Sequence, residues 1–229
     1  TGLVGSHITQ LCQEKGIAIN YLTTSKDKIK DQPQKQGFYW NPEAGEIDEA
    51  CVKDVRAIIH LAGATLAKRW TSSYKKEIIK SRVNSAALLH KSIGNLNFKI
   101  PHFISASAIG IYPSSLEKLY FEEDKAVDDS FLGEVVVRWE EAANEFKHLG
   151  MEVSKIRIGL VLAKEGGALP KMKDPVSLNM GAAFGSGRQW QSWIHVDDLA
   201  GIFLQVLENK LFGSAALKEP LKKSNFRQP

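Results

Sequence analysis

The first six residues of the chain restrict its fold more than any other stretch. Within residues 1–6, Gly2 and Gly5 stand directly before a helical pattern of apolar residues at 8–12, and an apolar strand pattern follows at 17–22. A glycine turn, a helix and a strand make up most of a βαβ unit. In such a unit, glycine lets a pyrophosphate approach the unpaired N–H groups at the helix start. The order of elements therefore predicts an α/β chain with a dinucleotide phosphate site at residues 1–6.

This motif is incomplete. A full dinucleotide fingerprint has a hydrophobic strand and a further glycine before this point, whereas the sequence starts inside the motif. A parallel sheet without that central first strand has two unpaired edges. We therefore expect the 229-residue sequence to omit part of a longer chain. A Gly-x-x-Gly alone is equally typical of an ordinary loop-to-helix turn, so the choice depends on residues downstream.

Composition excludes several classes of protein. The net charge of +4 comes from scattered basic residues, and the densest basic run, residues 26–30, is interrupted by an acid. We therefore expect no nucleic-acid partner. No apolar run reaches the length of a membrane span. Cys12 and Cys51 form neither a metal-ligand spacing nor a disulfide framework, so we expect no metal and a reducing, cytoplasmic location.

The residues after the second strand bear on cofactor choice. In a dinucleotide fold, an acid at this position holds the adenosine ribose hydroxyls and favours NAD. Here the chain has Thr23, Thr24, Ser25 and Lys26 instead. Hydroxyls and a lysine can hydrogen-bond and neutralise a ribose phosphate, so the sequence favours NADP. The alternative is a polar turn without a ligand role.

Residues 55–64 carry the clearest buried-strand pattern, which changes to small residues at Leu61, Ala62 and Gly63. Ligands of open α/β sheets lie just beyond the strand ends. Small residues leave room there for a flat ring, so these three are candidate adenine or ribose contacts. A tightly packed strand-to-loop turn is the alternative.

Periodicity predicts the remaining elements: a strand at 38–40, a helix beginning at 47–52, a helix at 70–93, a strand at 102–112, a helix at 131–149, a strand at 153–162, a flexible turn at 166–170, a glycine-rich segment at 181–187 and a helix at 197–211 with Asp197 as its N-cap. Arg82 lies in the middle of the long helix, either as a surface charge or directed into a cleft toward phosphate or ribose. Ser107 ends its strand, where its hydroxyl suits a hydrogen bond to a substrate carbonyl or hydroxyl.

The chain resembles the extended short-chain dehydrogenase/reductases, and within them the epimerase-like subfamily labelled NAD-dependent epimerase/dehydratase or cell-division-inhibitor-like. The resemblance covers residues 1 to about 213, and these motifs carry it: Thr1–Gly5, Ile59–Ala64, Arg69–Trp70, Ser81–Arg82, Ser105–Ala108, Arg157–Leu162, Gly166–Met172 and Gly185–Asp198. It implies a Rossmann-like, doubly wound parallel sheet with a small C-terminal substrate lobe.

The resemblance also implies roles for particular residues. Gly2, Leu3 and Val4 would lie against the pyrophosphate, and Thr23 and Thr24 would face the adenosine ribose. The other implied cofactor contacts are Leu61, Ala62 and Gly63 at the adenine, Glu77 and Arg82 on the helix that borders the cleft, and Val161 near the nicotinamide.

Two departures from the family pattern stand out. Residues 214–229 do not resemble the C-terminal lobe, so we assign residues 1–213 to the dinucleotide-binding domain and treat the rest as a fragment without an assigned place. The catalytic Tyr-x-x-x-Lys is also absent. About 25 residues beyond Ser107, where the tyrosine is expected from the resemblance, the chain has Phe131 and no lysine four residues later.

Glu134 and Tyr112 are the nearest replacements for the missing proton carrier. The alternatives are a solvated helix residue for Glu134 and a packing residue for Tyr112, and His195 is interpreted as structural. The resulting hypothesis is an NADP-binding, epimerase-like oxidoreductase with a small-molecule substrate, no nucleic-acid or membrane partner, and a homodimer as its candidate assembly. The competing hypothesis is a catalytically silent dinucleotide-binding protein that senses redox state or regulates a partner.

Overall fold

The computed structural model describes residues 2–95, 99–182 and 187–209. Parallel strands alternate with helices along the chain, as the sequence predicts. The helices are α1 (Leu3–Glu14), α2 (Ser72–Gly94), α3 (Phe131–Asn144), α4 (Ala168–Ser177) and α5 (Val196–Asn209), with short 3-10 turns at Lys26–Lys28, Glu49–Val52, Ile109–Ile111 and Glu145–Leu149.

The strands are β1 (Ile19–Thr23), β2 (Lys35–Asn41), β3 (Glu46–Ile47), β4 (Ala57–His60), β5 (His102–Ala108), β6 (Glu152–Ile158), β7 (Leu160–Ala163), β8 (Gly166–Gly167) and β9 (Trp193–His195). β1 pairs in parallel with β2, and β4, β5 and β6 form a second parallel ladder in that order. The short strand β3 adds antiparallel to β2, while β7 lies between β8 and β9.

A gap separates the edges of the two parallel ladders, between β1 and β4. A cavity of about 880 Å³ separates β1 from β4 and is lined by residues 17–22 and 55–62. The Val/Ile-rich sequence before His60 predicts full burial, but Ala57, Ile58 and Ile59 are half-buried. Their exposure follows from the gap, because no described strand pairs with β4 on that side.

Helices cover both faces of the sheet, which confirms the doubly wound α/β class. Phe103 and Ile104 on β5 show how the faces divide. Phe103 packs in the layer of α2 and stacks on Phe146 with ring centroids 3.6 Å apart. Ile104 packs in the opposite layer with Ile8 of α1 and Phe203 of α5. Adjacent residues of a strand point to opposite faces, so both must be apolar in a sheet that is covered twice.

Several local predictions need correction. The strand predicted at 102–112 ends at Ala108, and the one predicted at 153–162 is divided into β6 and β7. Ile47 belongs to β3 rather than to a helix, and the helical segment that follows is a 3-10 turn in which Asp48 accepts a hydrogen bond from Ala50 N. Residues 166–170 are not a flexible turn, because α4 begins at Ala168, and a proline in the first helical turn removes no intrahelical bond. Asp197 lies inside the first turn of α5 rather than at its N-cap. Residues 183–186 and 210–229, including the C-terminal fragment, lie outside the described residues.

Candidate functional site

The start of α1 is open. Gly2 is its N-cap in an extended conformation (φ −83°, ψ −169°), without a side-chain hydrogen bond to the helix and without an acid in the first turn. The first intrahelical hydrogen bond runs from Ser6 N to Gly2 O, so the N–H groups of Leu3, Val4 and Gly5 have no acceptor within the helix. A Cβ at Gly2 would meet nothing within 4 Å. This donor set and the positive end of the helix dipole fit a pyrophosphate.

Side chains cap the starts of two other helices, α2 and α3. Thr71 Oγ1 accepts from Tyr74 N at 3.2 Å at the start of α2, and Ser130 Oγ accepts from Gly133 N at 3.5 Å at the start of α3. α4, whose N-cap is Gly167, also has no side-chain cap, so the contrast separates α1 from α2 and α3 only.

The turn after β1 offers one open hydroxyl and a lysine. Thr23 is buried, and its Oγ1 accepts from Ser25 N at 3.2 Å, so this hydroxyl holds the turn. Thr24 is exposed. Lys26 Nζ lies 5.0 Å from the ring centroid of Tyr39 on β2. Of the predicted pair, Thr23 therefore holds the turn, and Thr24 is accessible to a ligand.

Side chains of α2 fasten the loop after β4. Ser81 Oγ accepts from Ala64 N at 2.8 Å, and Arg82 Nη1 donates to Ala64 O at 3.3 Å. A Cβ at Gly63 would lie 2.9 Å from Arg82 Cζ, so the guanidinium occupies the space that a side chain at this position would need. The predicted adenine contacts Leu61 and Ala62 are half-buried in the same loop.

Arg82 is buried, with 7% of its surface exposed, so its interpretation as a surface charge is wrong. Its Nη1 also donates to Ile78 O at 2.9 Å, and its guanidinium lies 4.8 Å from the ring centroid of Trp139. Burial lowers the pKa of the Arg82 guanidinium from its ordinary value. The side chain is thus bound to the loop and to α3, whereas Glu77 of the same helix is exposed.

Two further predicted cofactor contacts, Leu3 and Val161, lie close together on either side of Gly167. A Cβ at Gly167 would lie 3.3 Å from Leu3 Cδ2 and 3.1 Å from Val161 O. The start of α1 is therefore next to the hairpin of β7 and β8. Gly167 has φ +74°, a conformation that side chains disfavour, which accounts for a glycine at this approach.

Ser107 belongs to a buried ionic network. Its Oγ donates to Glu140 Oε1 at 2.6 Å. Arg157 binds the same carboxylate with two groups, Nε to Oε1 at 2.8 Å and Nη2 to Oε2 at 3.0 Å, and Lys155 Nζ lies 3.2 Å from Oε2. The register of β5 and β6 pairs Ser107 with Arg157, and Lys155, two residues earlier, points to the same face.

The network continues to Tyr112. Arg157 Nη1 donates to the Tyr112 hydroxyl at 2.6 Å, and the Tyr112 ring stacks on Tyr120 with centroids 5.5 Å apart. Burial opposes the charge on Glu140, but hydrogen bonds from Arg157 and Ser107 and the charge of Lys155 hold the pKa of its carboxyl below the ordinary value. The hydrogen bonds with Glu140 raise the pKa of Arg157 in turn. Both groups are therefore charged at neutral pH.

The structure connects two of the three predicted catalytic residues. Ser107 and Tyr112 are linked through Glu140 and Arg157, whereas Glu134 is exposed and bonded to Arg138 at 2.9 Å. The Ser107 proton is bound to Glu140, so Ser107 can donate to a substrate only where that substrate displaces Glu140 as the acceptor.

Sequence reasoning missed Glu140, Lys155 and Arg157 as parts of this site. A signal was present, since two cations stand at alternate positions of an otherwise apolar strand. Cations on one face of a buried strand need an anion opposite them.

The position of the missing tyrosine also becomes clearer. Phe131 packs edge-on against Trp70, with centroids 5.5 Å apart, and Lys75 Nζ lies 4.8 Å from its ring centroid, so Phe131 faces α2. Leu132 instead faces Gly110, which lies just after β5. A Cβ at Gly110 would be 3.7 Å from Leu132 Cβ. Residues four positions later are Val135 and Val136. In either register the chain has no tyrosine–lysine pair.

Comparison with known proteins establishes the family. Residues 1–131 match the model of the NAD dependent epimerase/dehydratase family. The chain belongs to this family. It is 39% identical over 222 residues to an epimerase family protein of Staphylococcus epidermidis, which covers 96% of this chain and 73% of the relative. It is 38% identical over 210 residues to an epimerase family protein of Staphylococcus saprophyticus, covering 92% and 69%.

Solved structures agree with this assignment. A crystal structure of the human epimerase family protein SDR39U1 with NADPH superimposes with a TM-score of 0.75 at 28% identity, covering 93% of this chain and 69% of that one. The nucleoside-diphosphate sugar epimerase of Corynebacterium glutamicum has the same TM-score at 30% identity, covering 93% and 43%. Among the described helices of our chain, none is long and apolar enough to cross a membrane.

Proposed function

We propose that this chain binds NADP(H) and acts as an epimerase-like oxidoreductase on a small-molecule substrate. The observation that carries the proposal is the open start of α1, where no side chain of the described residues accepts from the N–H groups of Leu3, Val4 and Gly5. Family membership supports the same cofactor class. When bound, the nicotinamide would supply or accept the hydride.

The chain would hold the cofactor with residues of three segments. Gly2, Leu3 and Val4 would bind the pyrophosphate, and the loop of Leu61, Ala62 and Gly63 would border the adenine. Ser81 and Arg82 act on that loop by fixing both backbone groups of Ala64. Val161 would lie near the nicotinamide, on the hairpin that meets Leu3.

The preference for NADP rests on the turn after β1. Residues 23–26 hold no acid, Thr24 is accessible, and Lys26 adds a positive charge beside Tyr39. A charge-assisted hydrogen bond to a ribose phosphate would favour NADPH over NADH by about 1–3 kcal/mol. The human relative with NADPH at 28% identity supports this preference.

Tyr112 is our proposed substitute for the missing tyrosine. The bond from Arg157 Nη1 at 2.6 Å leaves the phenol proton available to a ligand. The guanidinium would stabilise the negative charge that develops on the phenol oxygen as that proton leaves. Tyr112 also lines a cavity beside β6, whereas Glu134 is bonded to Arg138.

One observation favours the silent, cofactor-sensing alternative. The Ser107 proton is bound to Glu140, and neither Phe131 nor Leu132 can exchange a proton. A dinucleotide-binding protein without turnover would show the same cleft. The two functions differ in turnover but not in cofactor binding.

The test has two stages. Calorimetry with NADPH and NADH measures the cofactor preference, and Lys26→Gln should reduce it while Lys28→Gln, a lysine of the same exposed turn, should not. A panel of nucleotide sugars, aldehydes and ketones is then screened for nicotinamide oxidation or reduction. Equal or reversed affinities contradict the NADP proposal, and tight NADPH binding without turnover supports the sensing function.

A further inference from the structure

The network around Glu140 holds more positive than negative charge. Lys155 and Arg157 expose 11% and 12% of their side chains, and each forms an ion pair with Glu140 at 3.2 Å and 2.8 Å. Within the described residues Glu140 is the one carboxylate in ion-pair contact with either cation. A buried cation without its own counter-ion is costly, because it has lost its hydration. Lys155 is that cation, since Arg157 already binds both carboxylate oxygens.

A cavity lies directly beside this surplus charge. It has a volume of about 300 Å³, and Lys155, Arg157, Tyr112, Ser192 and Trp193 are among its lining residues. This volume is at the lower end for ligand pockets, which suits a single sugar-sized group better than a nucleotide. The Tyr112 hydroxyl accepts its bond from Arg157, so its proton can be donated toward the cavity.

We propose that this cavity binds the oxyanion of a small ligand, a carboxylate or phosphate group, with Lys155 and Tyr112 as its donors. A bound oxyanion would neutralise the surplus charge and accept both hydrogen bonds at once. The site shares Tyr112 and its cavity with the proposed function and in that respect rests on it, but oxyanion binding requires neither bound cofactor nor turnover, so its failure is measured separately.

Glu122 provides an internal check on the sign of the charge. It is half-buried and lines the same cavity, and its backbone oxygen accepts a long bond of 3.4 Å from Arg157 Nη1. Glu122 carries a negative charge on a segment that lines the cavity, and this charge repels an anion that enters. Neutralising Glu122 should therefore strengthen binding, the opposite of neutralising Lys155.

Calorimetry at constant ionic strength tests the site with D-glucuronate and glucose 6-phosphate as charged probes and D-glucose as the uncharged control. We expect one or both charged probes to bind and glucose not to, and the stronger probe identifies carboxylate or phosphate as the preferred group. Lys155→Met should weaken binding at least tenfold, while Lys171→Met, an exposed lysine of α4, should leave it unchanged. NADPH affinity should be the same in all of these variants.

The proposal is overturned if neither charged probe binds or if Lys155→Met binds them as the wild type does. Should Lys155→Met fail to fold, Glu122→Gln decides the question, because this half-buried residue at the cavity wall tolerates a neutral isostere. Severalfold tighter binding by Glu122→Gln supports the site, and unchanged or weaker binding contradicts it.

Discussion

The Ser107 hydroxyl donates to the Glu140 carboxylate across 2.6 Å, although the two residues are 33 positions apart in the chain. Both are buried, with 1% and 7% of their surface exposed. The bond fixes the direction of the serine proton and ties the end of β5 to α3. Any ligand that meets Ser107 must therefore donate to its oxygen or displace Glu140 as the acceptor.

Ser107→Ala tests whether this serine contributes to chemistry. Loss of one hydrogen bond at a developing oxyanion typically lowers turnover by about 10²–10³. We expect a loss of that size on any substrate of the panel whose oxyanion displaces Glu140 as the acceptor of the Ser107 proton, with little change in NADPH affinity. Ser105→Ala is the matched control, because Ser105 lies on the same strand face and is equally buried but bonds to Ala106 O. Equal turnover in the two variants would show that Ser107 is not catalytic.

Tyr112→Phe tests the proton carrier. Because the variant keeps the ring that stacks on Tyr120 and loses only the hydroxyl bonded to Arg157, its fold should be preserved. We expect turnover to fall by at least 10². Glu134→Gln should change turnover little, since Glu134 is exposed and bonded to Arg138. Steady-state kinetics of both variants decide between the two residues, and the reverse pattern would assign the role to Glu134.

Local patterns predicted the elements but not the network. The helix of residues 3–14 and the strand of residues 102–108 follow from apolar periodicity, which neighbouring residues carry. Glu140 could not be found in this way, because a glutamate on an amphipathic helix has the pattern of a solvated residue. Its burial depends on Arg157, which the β5–β6 register places beside Ser107, and both residues bind the Glu140 carboxylate. The half-burial of β4 agrees with the two unpaired edges expected for a parallel sheet without its central first strand, although the pattern of residues 55–64 alone predicts full burial.

Arg82→Ala should weaken cofactor binding more than tenfold and should also destabilise the protein. A surface charge would contribute little to stability, but Arg82 is buried and donates to Ala64 O and Ile78 O. Losing these bonds and the Trp139 contact should lower the free energy of unfolding by about 2–3 kcal/mol. Ser81→Ala removes the other support of Ala64 and should weaken NADPH binding with less effect on stability. Urea unfolding and calorimetry measure both quantities, and unaltered NADPH affinity in Arg82→Ala would show a purely structural arginine.

Restoring the family's tyrosine–lysine pair should raise turnover at positions 132 and 136 but not at positions 131 and 135. Leu132 lies beside Gly110 after β5, and Val136 and Glu140 follow it at four-residue spacing. Because Glu140 binds Ser107, Leu132→Tyr with Val136→Lys places both groups on the helix face that meets Ser107. Phe131→Tyr with Val135→Lys is the matched control, because Phe131 faces Trp70, just before α2, and Lys75 of α2. Turnover that rises in the control but not in the first double variant would show that the tyrosine position is 131.

His60 should make the stability of the protein depend on pH. It is 3% exposed, its Nε2 is bonded to Ser85 Oγ at 2.9 Å, and its ring stacks on Phe103. Burial, and then the nearby charge of Arg82, lower its pKa from the ordinary value of 6.5 to about 4. Between these values the unfolded chain binds a proton that the folded chain does not, so stability falls as the pH falls.

The contribution of His60 is complete above about pH 6.5 and is lost progressively toward pH 4, where the loss reaches on the order of 3 kcal/mol. Glu140 does not interfere, because its pKa is held below 4.5 and its contribution is lost only at lower pH. Urea unfolding between pH 7.5 and about pH 4.5 should therefore show a steeper decline for the wild type than for His60→Gln, which retains a polar group near Ser85. The other histidines are present in both proteins and cancel in the difference. Parallel pH profiles would show that His60 titrates alike in the folded and unfolded chain.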